Sequence, residues 1–527
     1  MLDDLIILGG GATATAAFIE LIRELRRQYP DGVTHPCSIT ILERSSFAGA
    51  GFPYDPQLHR PIMANNNLNK WMIICTDEPN DFIDWLDKNT GALKQEYPHL
   101  ATIIDENCGK DQFAPRMIFG MYCHARLLDH AEIAKQLGIH VAIHTNTDII
   151  DAVQDEAENW HLRAENHAIF SARNLLIATG HLPSDKFPAL QTQPGFFNTP
   201  YTTLDAIQDA PVFILGSSLS AIDAAKLLAE KNITADIYMI SPSGQLPRIK
   251  GPPVPGPYQM QYLTRENLAK KNIRLSEILE LFTQEIRHAT GSPRWTSKAI
   301  MRKARQKNSD PVRTLQREIN WVEAGHIRGW QWMMGIIWYE PLPLIWQYMD
   351  DRDRQEFMQD YYPTFMRWAA SSTLASAKEI AALFAKGRLH IISCSNAVTY
   401  NSSTDNFEIA LNDQRKLTAK TVINATGTGN DIRKNPALHA MLQRGLIKLG
   451  RQGIGINLTH TLNTIAADNH VHDNTWAIGS ITFGYNVDTN SIEMAAIDAK
   501  KIVPHIARKF LEDKLINNTR IELAATR

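Results

Sequence analysis

The 527-residue sequence predicts an α/β fold of two interleaved Rossmann-like dinucleotide-binding domains with a helical insertion. Three observations predict it. Two small-residue turns each join an apolar run to a helical pattern, one long segment recurs with the same ending, and helical periodicity follows a proline-rich break.

The first turn stands near the start of the chain. Residues 5–8 are a short apolar run, Gly9-Gly10-Gly11-Ala12-Thr13-Ala14 follows, and apolar residues then recur at helical spacing through Ile22. This is strand, tight turn and helix, in the pattern G-x-G-x-x-A. Gly9 makes the turn, Gly11 lets a pyrophosphate approach the backbone, and Ala14 lets the helix lie close to the strand. Ala12 and Thr13 open the helix, whose N-terminus faces the phosphates. A second strand over residues 38–42 ends in Glu43, whose carboxylate is placed to accept hydrogen bonds from a ribose diol.

A repeat comes next. Residues 138–180 and 387–427 each open with a short strand, pass through polar turns and an alternating strand, and end in an apolar strand. Both close on the same tripeptide, Ala178-Thr179-Gly180 and Ala425-Thr426-Gly427. A small residue and a glycine at a strand's C-terminal end let backbone pass close to a bound dinucleotide.

Between the copies, residues 212–215 form an apolar strand followed by Gly216-Ser217-Ser218-Leu219-Ser220-Ala221 and a helix. Gly216, Ser217, Ser218 and Ser220 are the candidates for a nicotinamide site. Ser218 replaces the second glycine of the pattern. The next strand, residues 236–240, ends at Ser241 without an acid, which favours a 2′-phosphate, with Arg248 and Lys250 as the available cations.

The stretch "IKGPPVPGPY" at residues 249–258 leaves this second fold, and the pattern to about Lys386 is helical. Lys298, Arg302, Lys303, Arg305 and Lys307 read as a solvated helix face. Trp321, Trp330, Trp332, Trp338, Trp346 and Trp368 read as packing residues or a pocket lid. His124, His326 and His439 lie in no metal-ligand spacing, so no metal is expected.

Composition narrows the partners. Lys plus Arg total 54 against 56 Asp plus Glu, which gives no global field for nucleic acid or an anionic membrane. Five cysteines without paired spacing argue against a disulfide framework and fit a reducing cytoplasm. No apolar run reaches the length of a membrane span. A small-molecule substrate is expected, and a homo-oligomer is compatible with the sequence.

Taken together, "LIILGGGATA", "ILERSSFAGAGFPYD", "FAPRMIFGMY", "LLIATGHLP", "VFILGSSLSAIDAA", "KGRLHI", "VINATGTGND" and "WAIGSITFG" occur in one order along the chain. In this the sequence resembles the FAD/NAD(P)-binding flavoproteins related to flavin-dependent N-hydroxylating monooxygenases, whose fold is glutathione-reductase-like. The resemblance implies that Arg116 of the third motif and Gly479 of the last lie at the FAD site, and that the last motif returns to the first domain. This chain departs from the family at Ser218, at "FMRWAASS" and at "YNVDTNS".

The expected organisation is an FAD-binding domain over 1–200, an NAD(P)-binding-type domain over 201–258, a helical insertion over 259–386 and a return to the FAD domain over 387–527. The implied activity is that of an FAD-dependent oxidoreductase. NADPH or NADH reduces the flavin, and a small metabolite is N-hydroxylated through a C4a-hydroperoxyflavin. An FAD-dependent dehydrogenase or oxidase, or an FAD-holding redox protein without nicotinamide use, remains open. No acid–base pair or nucleophile stands out as catalytic, as expected where the cofactor carries the chemistry.

Overall fold

The computed structural model describes every residue except 1, 34–35, 58–61, 67, 69–70, 108–112, 202–205, 252–257, 270–272, 306–309, 327–332, 334–336, 338–340, 488, 490 and 526–527. The chain forms two compact units, Met1–Leu182 with Asn430–Arg527, and Pro183–Gly429. The first unit contributes β1 (Leu2–Leu8), β2 (Cys37–Leu42), β3 (Ile139–His144), β4 (Ile149–Gln154), β5 (Trp160–Ala164) and β6 (Ile169–Ile177). The second contributes β7 (Phe196–Phe197), β8 (Val212–Leu215), β9 (Ile237–Ser241), β10 (Leu389–Ser393), β11 (Thr399–Asn401), β12 (Asn406–Ala410), β13 (Lys416–Ala419) and β14 (Thr421–Asn424). The chain then returns to the first unit with β15 (Asn463–Ile465) and β16 (Val471–Ala477).

In the first unit the main sheet runs β15-β16-β6-β1-β2-β3. From β16 to β3 all neighbours are parallel, β15 is an antiparallel edge, and β4 and β5 hang on β6 as antiparallel strands. Residues 5–8 are buried without interruption, as a parallel strand covered on both faces requires. The helix Ala12–Gln28 buries Phe18, Ile22 and Leu25, and the last helix, Ile492–Ala525, adds Ile502, Ile506 and Phe510 to the same core. The pairing of Thr475, Trp476 and Ala477 with Leu175, Leu176 and Ile177 brings the "WAIGSITFG" strand back to this sheet, as the motif resemblance implies.

In the second unit the sheet is β10-β9-β8-β14-β7, parallel throughout, and β11-β12-β13 form a separate antiparallel sheet. Phe213, Phe407 and Val422 belong to one apolar cluster that joins the two sheets.

The repeat is a real structural equivalence. Gly9 donates its amide to Leu42 O (2.9 Å) and Gly216 to Ile240 O (2.8 Å); Ala178 donates to Leu8 O (2.8 Å) and Ala425 to Leu215 O (2.9 Å). These four bonds set Gly10 against Ser217, Glu43 against Ser241, Ile177 against Asn424 and Thr179 against Thr426. One difference lies in the last strand. β6 is a single strand that pairs with both β5 and β1, whereas the second copy breaks at Lys420 into β13 and β14.

The division between units does not fall at the expected 200 or 387. Phe196 and Phe197 pair with Val422 and Ile423, so the chain has already entered the second unit at Pro183. β10 lies on β9 and β14 on β8, so the second copy of the repeat stays there until Gly429. Sheet pairing decides this, and periodicity cannot report it.

The expected helical stretch contains Leu275–Thr290, Ser297–Arg305, Pro311–Glu323, Pro341–Tyr348 and Leu374–Ala385. Trp346 and Trp368 are core residues, Trp321 is exposed, and Trp330, Trp332 and Trp338 lie outside the described residues. Glu285, fully buried on the first of these helices, accepts hydrogen bonds from the amides of Tyr262 (2.7 Å) and Leu263 (2.8 Å), from Gln261 N and from the Tyr258 hydroxyl. Burial alone would raise its pKa, but the bonds from Tyr258 and the backbone amides hold it below the ordinary 4.5. The network therefore stabilises above that pH, and its contribution is lost as pH falls through the lowered folded value. Glu285→Gln is expected to cost about 2–4 kcal/mol at neutral pH, read from the urea midpoint, with the deficit shrinking in acid.

Candidate functional site

The site grows from the turn after β1. Gly9 has φ +107°, and a Cβ there would lie 2.2 Å from Ala178 O, so only glycine lets the ends of β1 and β6 meet. Gly216 repeats this in the second unit, 2.7 Å from Ala425 O. The alanine of each Ala-Thr-Gly thus seats the first glycine of its own turn.

Gly11 is the N-cap of Ala12–Gln28 and offers no capping side chain. A Cβ on it would lie 3.1 Å from Gly51 Cα, so its role differs in part from that expected. Besides leaving room for a ligand, Gly11 admits the loop 45–55 against the helix start. That loop is tied down by Gly49 N to Gly10 O (2.6 Å), Ala12 N to Ala50 O (3.1 Å) and Thr15 Oγ1 to Gly49 O (3.1 Å).

Glu43 sits at the end of β2, buried. Its Oε2 accepts the Gly10 amide (2.7 Å) and its Oε1 the Ser45 amide (2.7 Å). The carboxylate expected to meet a ribose first fixes the turn, and each oxygen keeps a second lone pair for a ligand.

Around this turn lies a cavity of about 170 Å³ within the first unit. Gly9, Gly11, Ala12, Thr13, Glu43, Ala178, Thr179 and Gly180 line it. Sites for organic ligands usually measure about 300–1,000 Å³, so a dinucleotide must extend from the enclosed part into open groove. Three expected residues stand behind the wall. Ala14 is packed in the core, Gly479 abuts the Thr13 side chain, and Arg116 lies within electrostatic reach of the Tyr54 phenol. Arg116, at the start of the helix Arg116–Gln136, is thus beside a residue of the wall, Tyr54. The motif fixes the helix start and leaves the direction of the side chain open.

The wall also contains Arg44, Asp55, Asp148, His181, Asn435 and Ser491, which the sequence reading did not single out. Asp55 and Tyr54 belong to the quoted "GFPYD", which was a signal; Asn435 and Ser491 arrive from far along the chain without one. Burial raises the Asp55 carboxyl, with Glu43 nearby adding to the effect, and pushes the Tyr54 phenol up to about 12. Acids outnumber bases in this lining, so the amides at the helix start, rather than side-chain cations, are the place for a phosphate. Thr179 Oγ1 is buried and has no hydrogen-bond partner in the protein.

In the second unit the equivalent groups are arranged differently. The Ser217 hydroxyl lies 2.8 Å from Ser241 Oγ and donates to Gln245 O (2.7 Å). Ser218 is the N-cap of Leu219–Glu230, exposed, and its side chain caps no amide. Arg248, expected as a free cation, is ion-paired with Glu318 while its guanidinium lies 5.9 Å from the Trp368 ring centroid. Burial lowers Lys250 to about 8. Neither is a simple solvent-facing phosphate ligand. No group of three or more potential metal ligands occurs among the described residues.

Residues 6–182 match the protein family described as FAD-NAD(P)-binding. The uncharacterised protein YdhS of Escherichia coli K12 is 24% identical over 435 residues, covering 73% of this chain and 76% of that protein. Among solved structures, the reduced form of ornithine hydroxylase PvdA from Pseudomonas aeruginosa aligns over 97% of this chain and all of its own, with TM-score 0.58 and 13% identity. A second structure of the same enzyme gives TM-score 0.52. The fold is the one the motifs imply.

Glu43→Ala leaves the amides of Gly10 and Ser45 without their acceptor. It is expected to destabilise the first unit by roughly 3–6 kcal/mol, the sum of two hydrogen bonds to a charged group. Unchanged urea unfolding would show that the carboxylate does not hold the turn.

Proposed function

We propose that this chain is an FAD-dependent oxidoreductase, working as an NAD(P)H-dependent monooxygenase that N-hydroxylates a small metabolite. The observation that carries the reading is the helix start at Gly11, bare of a capping side chain, opening into a cavity that Glu43 and the Ala178-Thr179-Gly180 turn also line. Free amides at a helix start are groups that the pyrophosphate of a dinucleotide satisfies. The family match over residues 6–182 supports FAD, and the fold shared with ornithine hydroxylase fits hydroxylation of a small metabolite.

The turn Gly9–Thr13 would hold the pyrophosphate, and the spare lone pairs of Glu43 would take ribose hydroxyls. Ala178, Thr179 and Gly180 would flank the cofactor, with Gly479 supporting Thr13 from behind. Bound FAD supplies two-electron redox chemistry. The protein orients the ligand and excludes water. Gly216, Ser218 and Ser220 would receive the nicotinamide nucleotide in the second unit, where the exposed Ser218 hydroxyl can donate to a phosphate.

A cytoplasmic location is supported by Cys37, Cys75, Cys123 and Cys394, none of which is in a disulfide. No helix among the described residues is long and apolar enough to cross a membrane.

One observation favours a second reading. The Ser217 hydroxyl is already engaged by Ser241 and Gln245, and Arg248 by Glu318, which suits a flavoprotein that draws electrons from its substrate instead of from a nicotinamide. Two experiments separate these readings. The purified protein is expected to be yellow and to release FAD, not FMN, on denaturation; absence of FAD after reconstitution overturns the flavoprotein assignment. Anaerobic NADPH or NADH is expected to bleach the flavin, and Ser218→Leu to keep the FAD spectrum while slowing bleaching by roughly tenfold or more. A flavin that neither nucleotide reduces would move the assignment to the dehydrogenase or oxidase class.

A further inference from the structure

Two helices of the first unit carry an interior glycine, and the two positions differ in what surrounds them. Gly91 lies exposed in Asp81–Glu96, and a Cβ there would meet nothing within 4 Å. Gly120 lies buried in Arg116–Gln136, and a Cβ there would sit 1.9 Å from the Tyr54 carbonyl oxygen and 3.1 Å from the Ala50 methyl. The backbone at Gly120 is helical, so its conformation does not call for glycine, which is among the poorest helix formers. Only the room needed by that carbonyl does.

Gly120 belongs to one face of this helix. Arg116, Gly120 and His124 follow at four-residue spacing and so stand one above the other. Arg116 lies within electrostatic reach of the Tyr54 phenol, Gly120 admits the Tyr54 carbonyl, and His124 Nδ1 donates to Ala48 O (2.7 Å). The His124 ring also lies 4.5 Å from that of Phe47, and the Phe119 ring meets Tyr54 edge-on at 4.9 Å. From this seat the loop 45–55 crosses to the glycine turn, where Gly49 and Ala50 bond Gly10, Ala12 and Thr15. The loop is thus strapped between two helices, and it carries Tyr54 and Asp55 into the cavity wall. Gly120 and His124 are not among the residues that line the cavity.

We infer that Gly120 and His124 are positioning residues of the FAD site, which seat the loop 45–55 on the helix Arg116–Gln136 and so set where Tyr54 and Asp55 stand. This rests on the flavoprotein reading and extends the site to a helix face behind its wall. A methyl group at Gly120 displaces the Tyr54 carbonyl by about 1.5 Å, from 1.9 Å to the 3.4 Å at which ordinary van der Waals contact begins. The backbone passes that shift directly to Asp55. Loss of the His124 donor acts at the other end of the loop. It lowers the fraction of FAD-free protein whose wall is in place, and the apparent affinity falls by that fraction.

The test compares Gly120→Ala, Gly91→Ala, His124→Phe and His124→Asn in the full-length protein. FAD affinity is measured by flavin fluorescence quenching well below the melting temperature of each FAD-free variant, and the surroundings of the bound flavin by visible circular dichroism at saturating FAD. Gly120→Ala is expected to weaken FAD binding at least about tenfold and to change the dichroism of the flavin that remains bound. Gly91→Ala is expected to leave both unchanged and to raise the melting temperature, as alanine does at an open helix position. His124→Phe keeps the ring beside Phe47 and is expected to weaken binding about three- to tenfold. His124→Asn, whose Nδ2 is as many bonds from the backbone as the histidine Nδ1, is expected to recover most of that loss. FAD affinity and flavin dichroism in Gly120→Ala equal to those of the unsubstituted protein overturn the inference, as does a lowered melting temperature with unchanged affinity. Should Gly120→Ala not fold, His124→Phe decides alone, and unchanged FAD affinity there overturns it. Failure of the unsubstituted protein to take up any FAD overturns the flavoprotein reading, and the inference with it.

Discussion

The close approach of β1 and β6 at their C-terminal ends is the constraint on which the site depends. Gly9 and Ala178 meet so tightly that no side chain fits between them, and this contact points the following helix start into the space beyond the sheet edge. Parallel pairing along Leu5–Leu8 and Asn174–Ile177 brings the two ends together, and the buried apolar strands hold them there. Glu43 completes the frame from the neighbouring strand. Its carboxylate ties the glycine turn to the loop at Ser45, so three strand ends form one rigid rim. A ligand placed on that rim meets groups whose positions are set by packing, which lowers the ordering cost of binding.

The same frame is built twice, and the difference between the copies is chemical rather than topological. Where the first unit has glycine and glutamate at Gly10 and Glu43, the second has Ser217 and Ser241, whose hydroxyls face each other. Where the first has Ile177 before its alanine, the second has Asn424, which uses up the threonine hydroxyl. A buried polar group must find a partner. In the second unit several find one inside the protein; in the first, Thr179 does not. The two copies thus differ mostly in which donors and acceptors are used inside the protein.

Much of this was legible in the sequence because it is local. The turn at Gly9–Ala14, the strand ending in Glu43, the repeat and the strand at Val212–Leu215 all follow from apolar period, small residues and spacing over short stretches. The units' limits were not legible. Pro183–Gly429 is defined by Phe196 and Phe197 pairing with a strand more than two hundred residues later, and nothing in the period of either segment announces a partner. Arg116 shows the related limit for a side chain, since a motif places it at a helix start without fixing what it reaches.

By itself the sequence determined the class of fold, the two turns and the identity of the residues that could surround a dinucleotide, because backbone conformation at glycine and burial of apolar runs are properties of short segments. Only the tertiary structure decided which of those residues share a cavity, that Glu43 serves the turn as well as the site, that Arg248 is neutralised by Glu318, and that one threonine hydroxyl is satisfied while its twin is not. Each of these is a pairing between groups distant in the chain. Such pairings depend on sheet register and on the direction of a side chain, and neither is encoded in the spacing of either partner alone.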